Sequence, residues 1–170
     1  VNEATVGTGA TVNAGGLVLE AIMTDVAGDK TQRVGADAKS GAGGGSVGVA
    51  GSLAISVADM RSTAQIKGGA VVTMSGTGDA SLTAANNSVS TVIAQPDGAA
   101  GAPADKVGVG ASVALNISNN NTLAEVADGA TISGTLHDLT LAATSDNTAV
   151  TTAKAGGTAG GSGVGVGGAI

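Results

Sequence analysis

The sequence predicts an all-β fold: a repetitive parallel β-solenoid in which equivalent strands of successive repeats lie side by side. Three observations lead to this prediction. Similar segments recur about every 60 residues, apolar and small residues alternate within them, and turn-forming pairs such as Asp128-Gly129 separate them. No segment of ten or more residues has the apolar spacing of a helix. A β-sandwich or hairpin meander of the same strands is the alternative fold.

The repeat consists of two short blocks. The first reads "ATVGTGATV" at 4–12, "AQIKGGAVV" at 64–72 and "AEVADGATI" at 124–132. The second reads "LVLEA" at 17–21, "ASLTA" at 80–84 and "LTLAA" at 139–143. The chain is therefore interpreted as one array of three units, approximately 1–60, 61–120 and 121–170. If each unit were three coils of about 20 residues, it would advance about 14 Å along the solenoid. The array is expected to be an internal piece of a longer chain.

The predicted core follows from positions that stay apolar in successive units. The chain has no Phe, Tyr or Trp, so its core must consist of Val, Ile, Leu and Ala. Side chains at equivalent positions should point inward in stacked rows. These core positions are Val6, Val12, Ile66, Val72, Val126, Ile132, Leu19, Leu82 and Leu141.

Two longer strands have one bulky and one small face. They read "VGVAGSLAISVA" at 47–58 and "VGVGASVALNIS" at 107–118, with apolar residues two apart. Their small faces carry Gly48, Ala50, Gly108, Gly110 and Ala114. A face without bulky side chains lets another backbone approach closely. These faces are therefore expected to meet a second layer of backbone, either the Gly-rich segments 41–45 and 156–163 or a neighbouring chain, and to favour association into fibres.

Charge and composition restrict the function classes. Thirteen acidic residues against seven basic ones, with a net charge of −6, argue against binding to nucleic acid or to an anionic membrane. No apolar run approaches the ~20 residues of a membrane helix, so no membrane insertion is predicted. The absence of Cys is compatible with a secreted bacterial protein that does not use disulfides.

The sequence contains no recognisable catalytic or cofactor-binding motif. We therefore predict that the chain is not an enzyme and has neither catalytic nor cofactor-binding residues. The only histidine, His137, is interpreted as a surface turn residue. The Gly-rich stretch at 41–51 lacks the helix that would direct amides at a phosphate. Four acidic residues near strand ends are weak Ca²⁺ candidates, because stacked carboxylates supply the oxygens that Ca²⁺ takes: Asp79, Asp128, Asp138 and Asp146. The favoured interpretation is that they form turns, so no cofactor is expected.

The repeat style resembles that of very large bacterial surface proteins, the filamentous-haemagglutinin-like and autotransporter-like adhesins. The similarity is carried by "VGVGASVALNISNNNTLAEVADGATIS" at 107–133 and "GGTAGGSGVGVGGAI" at 156–170. This resemblance implies a right-handed parallel β-helix, secretion and display at the bacterial cell surface, and it supplies no site residues. The expected function is a non-catalytic stalk or filament segment of an extracellular adhesin. Its partners would be neighbouring repeats, other copies, or a host or neighbouring-cell surface. The alternative is a ligand-binding solenoid module for glycan, ice or Ca²⁺-dependent surface binding.

Overall fold

A computed structural model describes residues 1–41, 46–96, 107–156 and 162–169 of the chain. These residues form strands and turns, with no helix among them. The strands are β1 (Asn2–Val6), β2 (Thr11–Ala14), β3 (Leu17–Ala21), β4 (Gln32–Ser40), β5 (Val47–Ile66), β6 (Val71–Met74), β7 (Ala80–Pro96), β8 (Val107–Val126), β9 (Thr131–Gly134), β10 (Leu139–Ala153) and β11 (Ser162–Ala169). The predicted all-β class is confirmed. Within the described ranges, no helix is long and apolar enough to span a membrane.

The strands form three sheets. Their orders are β1-β5-β8-β11, β2-β6-β9, and β10-β7-β3 with β4 also paired to β7. The pairs β1–β5, β8–β11, β2–β6, β6–β9 and β3–β7 are all parallel. Parallel neighbours agree with the predicted stacking of repeats, whereas a hairpin meander needs antiparallel ones.

The register pairs equivalent residues of successive repeats. Val12 pairs with Val72, and Val72 pairs with Ile132, so partners lie one repeat apart in the sequence. Leu19 pairs with Leu82 in the same way across β3 and β7. Each repeat therefore adds one strand to each of these two sheets. Among the described strands, those of one repeat do not pair with each other, which does not fit three coils per repeat.

A tight turn explains the recurring Gly-Ala pair. Gly9, Gly69 and Gly129 have φ angles of 68°, 73° and 76°, in the left-handed region that glycine adopts without strain. The alanine after each glycine donates its backbone N–H to the carbonyl three residues before it, at 3.0–3.1 Å. These turns separate β1 from β2, β5 from β6, and β8 from β9.

The residues fall into two compact units. Unit 1 comprises 1–32, 59–88 and 119–147, and unit 2 comprises 33–58, 89–118 and 148–170. Unit 1 has a core of bulky aliphatic side chains. Val6, Ile66, Val72 and Leu82 are buried in it. The half-buried hydrophobic residues packed against it include Val12, Leu19, Val126 and Ile132.

Leu141 departs from the predicted core. Its side chain is 44% exposed. It lies on β10, which ends its sheet and has only β7 as a neighbour among the described strands. Without a further strand beside it, a side chain at this position stays partly open to solvent.

Unit 2 has a core of small residues. Ala54, Val92, Ala94 and Ala114 are buried together, with Ala36, Ala38 and Ala153 packed against them. Ser52 and Ser112 are also buried, and their hydroxyl oxygens lie 2.7 Å apart in a hydrogen bond. Small side chains allow the strands of this unit to approach closely, so bulky residues must point the other way.

Candidate assembly face

The bulky face of β5 points to solvent in unit 2. Its five bulky residues are 50–73% exposed, whereas Gly48, Ala50, Ser52, Ala54 and Ser56 on the opposite face are buried. These exposed residues are Val47, Val49, Leu53, Ile55 and Val57. Single exposed aliphatic residues are ordinary on protein surfaces, but five along one strand, interrupted only by Gly51, are not.

The neighbouring strand β8 extends this apolar surface. Val113 and Ile117 are 46% and 49% exposed, and Val109 and Leu115 are half-buried. Since β5 and β8 are adjacent in their sheet, their outward side chains form one patch. We call the exposed residues Val47, Val49, Leu53, Ile55, Val57, Val113 and Ile117 the outer apolar face.

The outer apolar face contains no charge. Neither 47–58 nor 107–118 has a charged residue, and the first one that follows on β5 is Asp59. Protein surfaces usually intersperse charged side chains among apolar ones, which keeps exposed apolar patches small. Such charges are missing here, so the face is suited to contact with another apolar surface.

The packing inside unit 2 determines which face points outward. A Cβ atom on Gly110 would overlap the carbonyl oxygen of Gly156, so only glycine fits against this backbone. The Ser52–Ser112 hydrogen bond likewise needs both side chains inside. Because side chains alternate along a strand, fixing these residues inside fixes the valines, leucine and isoleucines outside.

The five predicted packing-face residues are all buried in unit 2: Gly48, Ala50, Gly108, Gly110 and Ala114. The backbone that Gly110 meets belongs to the same chain, at Gly156. Gly156 begins the Gly-rich segment 156–163, so the predicted second layer of backbone is found at Gly110, and at this position it is not a neighbouring chain. Of the Gly-rich segments named as covering layers, residues 42–45, 157–161 and the side chains of 162–163 lie outside the described residues.

One part of the surface of unit 1 is polar, although Val18 and Val71 of this unit are also exposed. On this surface the Lys67 ammonium lies 2.9 Å from the Glu3 carboxylate, and the Gln65 amide donates to Glu125 at 2.6 Å. These groups satisfy each other on the surface. The Val, Leu and Ile side chains of the outer apolar face have no polar groups that could form such hydrogen bonds or ion pairs.

The four acidic candidates do not form one Ca²⁺ site. Asp79 and Asp138 come together beside His137, where the imidazole Nδ1 lies 3.0 and 3.2 Å from their carboxylate oxygens. Asp128 and Asp146 are exposed. Neither belongs to a group of three potential metal ligands in the part of the chain that the structure describes.

Sequence reasoning separates the two faces of β5 and β8 but does not identify the bulky one as the functional candidate. The sequence does contain a signal for the exposure of the bulky face, because a strand whose other face is only Gly, Ala and Ser can pack that small face against another layer.

Comparisons with known proteins do not identify a role for this face. No family model matches the chain, and neither a curated protein nor a solved structure is a match to it.

Proposed function

We propose that this chain is a structural segment of a bacterial extracellular adhesin, a stalk or filament module that works without catalysis. In this proposal the repeats form a parallel β-solenoid and the outer apolar face joins copies laterally. Beyond the array, the partner is a host or neighbouring-cell surface. The observation that carries the proposal is the uncharged, exposed row of aliphatic side chains on β5 and β8.

The solenoid part of the proposal is supported by the strand pairing. Parallel neighbours one repeat apart in two sheets are what one coil per repeat produces. A coil of this kind gives each added repeat the same outward residues. An array therefore presents its apolar row on successive rungs.

A second copy is the occupant to which the proposal commits. A flat apolar sheet face is complementary to an identical face, since neither side has charges to match. Complete burial of a Val, Leu or Ile side chain contributes about 1.5–3 kcal/mol, and residues already half-buried contribute less. Association costs about 4–15 kcal/mol, so one patch gives weak pairing. Several patches on a longer array would act together with higher avidity.

The test replaces one central residue of the face with a charge. Sedimentation velocity over a range of concentrations should show reversible association of the 170-residue chain. Val49→Lys should shift the chain towards monomer, because pairing would bury an ammonium group in an apolar contact. Val18→Lys is the matched control, since Val18 on β3 is 66% exposed and Val49 is 67% exposed.

Two results would contradict the proposal. One is a chain that stays monomeric at millimolar concentration, and the other is equal association of Val49→Lys and the parent. The attachment role is tested by displaying the chain on a non-adherent carrier bacterium. Clumping or binding to cells should exceed that of the Val49→Lys display, with equal surface levels checked by antibody.

A further inference from the structure

We propose that Asp79, His137 and Asp138 form a binding site for a divalent ion of the zinc class, such as Zn²⁺, Ni²⁺ or Co²⁺. The ion would link the second and third repeats at one turn. One potential ligand atom from each of the three residues lies within 4.8 Å of the others. The proposal does not depend on the function of the outer apolar face.

The backbone brings these residues together from distant parts of the sequence. Leu17 pairs with Ala80, and Ala80 donates its N–H to the carbonyl of Asp138 at 2.9 Å. Asp79 and Asp138 therefore occupy equivalent positions just before β7 and β10. The N–H of His137 donates to the carbonyl of Gly78 at 3.3 Å, which places the imidazole beside the preceding repeat.

The turn below these residues is closely packed. A Cβ atom on Gly78 would overlap the carbonyl oxygen of Gly15, so the backbones of the first two repeats are in direct contact here. The third repeat has His137 where the second has Gly78 and the first has Gly15. Of these three equivalent turn residues, only His137 has a side chain that can bind a metal ion.

The distances fit ligands that share one ion. His137 Nδ1 lies 3.0 Å from Asp79 Oδ1 and 3.2 Å from Asp138 Oδ2. Zinc binds nitrogen and carboxylate oxygen at about 2.0–2.2 Å, which places two ligands of one ion roughly 2.9–3.5 Å apart. One proton on His137 Nδ1 cannot form good hydrogen bonds to both carboxylates at once. A cation between His137 Nδ1, Asp79 Oδ1 and Asp138 Oδ2 would attract all three atoms.

The ligand types select the class of metal. Ca²⁺ takes six to eight oxygens and rarely nitrogen, while imidazole suits Zn²⁺, Ni²⁺ and Cu²⁺. Three protein ligands leave coordination positions for water, and all three side chains are exposed. The site therefore fits a zinc-class ion better than the Ca²⁺ considered for Asp79 and Asp138.

The test uses the fact that His137 is the only histidine. In a tag-free, chelator-treated chain, the imidazole signals report on a single residue by NMR. One equivalent of Zn²⁺ should shift them, and the same amount of Ca²⁺ should not. Asp79→Asn should weaken binding about 10-fold or more, and Asp128→Asn, an exposed aspartate in another turn, should bind as the parent does.

Stability gives a second measurement. Zn²⁺ should raise the thermal midpoint of the parent, because a ligand that binds only the folded chain stabilises it. His137→Ala and Asp79→Asn should lose this increase. Imidazole signals that do not respond to Zn²⁺, an equal response to Ca²⁺, or unchanged affinity in Asp79→Asn would each overturn the proposal.

Discussion

Gly110 shows how a single side-chain atom is excluded in unit 2. Its φ angle is not in the left-handed region, so its backbone conformation would accept any residue. The restriction comes from packing, because a Cβ atom would overlap the carbonyl oxygen of Gly156. Glycine is thus required here by the distance between two backbones.

We expect Gly110→Ala to reduce the free energy of unfolding by about 1–3 kcal/mol, as other overpacked sites do. Gly7→Ala is the control, since a Cβ atom on Gly7 meets nothing within 4 Å. Its backbone is not left-handed either, so a change near zero is expected. Urea unfolding measures both variants, and equal stabilities would contradict the close packing at Gly110.

Ser52 and Ser112 give a second prediction, at the scale of strands β5 and β8. Each hydroxyl is buried, and they are hydrogen-bonded at 2.7 Å. Ser52→Ala or Ser112→Ala alone should destabilise the chain by about 1–3 kcal/mol, because the remaining hydroxyl loses its partner. The double variant should be destabilised by less than the sum. Additive effects in urea unfolding would show that the two hydroxyls do not interact.

The strands and the close approach of backbone to their small faces were predictable, but the exposure of their bulky faces was not. Alternation along β5 and β8 defines two faces, and an ordinary core would bury the bulky one. In unit 2 the Ala, Ser and Gly face is inside because close approach of layers needs small side chains. Alternation alone carries no information on which layer covers each face.

The sequence also does not show which strand lies at the edge of a sheet. Leu82 and Leu141 occupy equivalent places in the second block of the repeat, yet Leu82 is buried and Leu141 is 44% exposed. Leu82 lies on β7 between two neighbouring strands, and Leu141 lies on the terminal strand β10. Burial here depends on neighbours, which a position within a repeat does not specify.

At the scale of the whole molecule, the repeat predicted the pairing register. Gly9, Gly69 and Gly129 recur at equal intervals along the sequence, and the parallel partners of β2, β6 and β9 are separated by that same interval. The number of coils per repeat was not predictable in this way. Sequence similarity gives the length of the repeat, but it does not show how many coils the backbone makes within that length.

The metal proposal also belongs to this scale. Residues 58 positions apart, Asp79 and His137, meet only because consecutive repeats are in register. The sequence alone indicates an isolated turn residue at His137, since its partner Asp79 lies in another repeat. The next experiment measures the equivalent register one repeat earlier, between β3 and β7.

A disulfide across β3 and β7 tests the parallel, repeat-to-repeat register most directly. Val18 pairs with Ser81, and adjacent strands are ~4.8 Å apart, within the Cα separation that a disulfide spans. The chain has no native Cys, so an introduced pair is the only one. Val18→Cys with Ser81→Cys should oxidise within one chain, as read by mass spectrometry under non-reducing conditions.

The control moves one cysteine out of register by two residues. Val18→Cys with Thr83→Cys keeps both on the same face but separates their Cα atoms by about 8 Å, beyond disulfide reach. This pair should remain as free thiols under the same oxidation. A disulfide in Val18→Cys/Ser81→Cys alone is the predicted result, and no disulfide there, or equal formation in both variants, would contradict the register on which the stacked repeats depend.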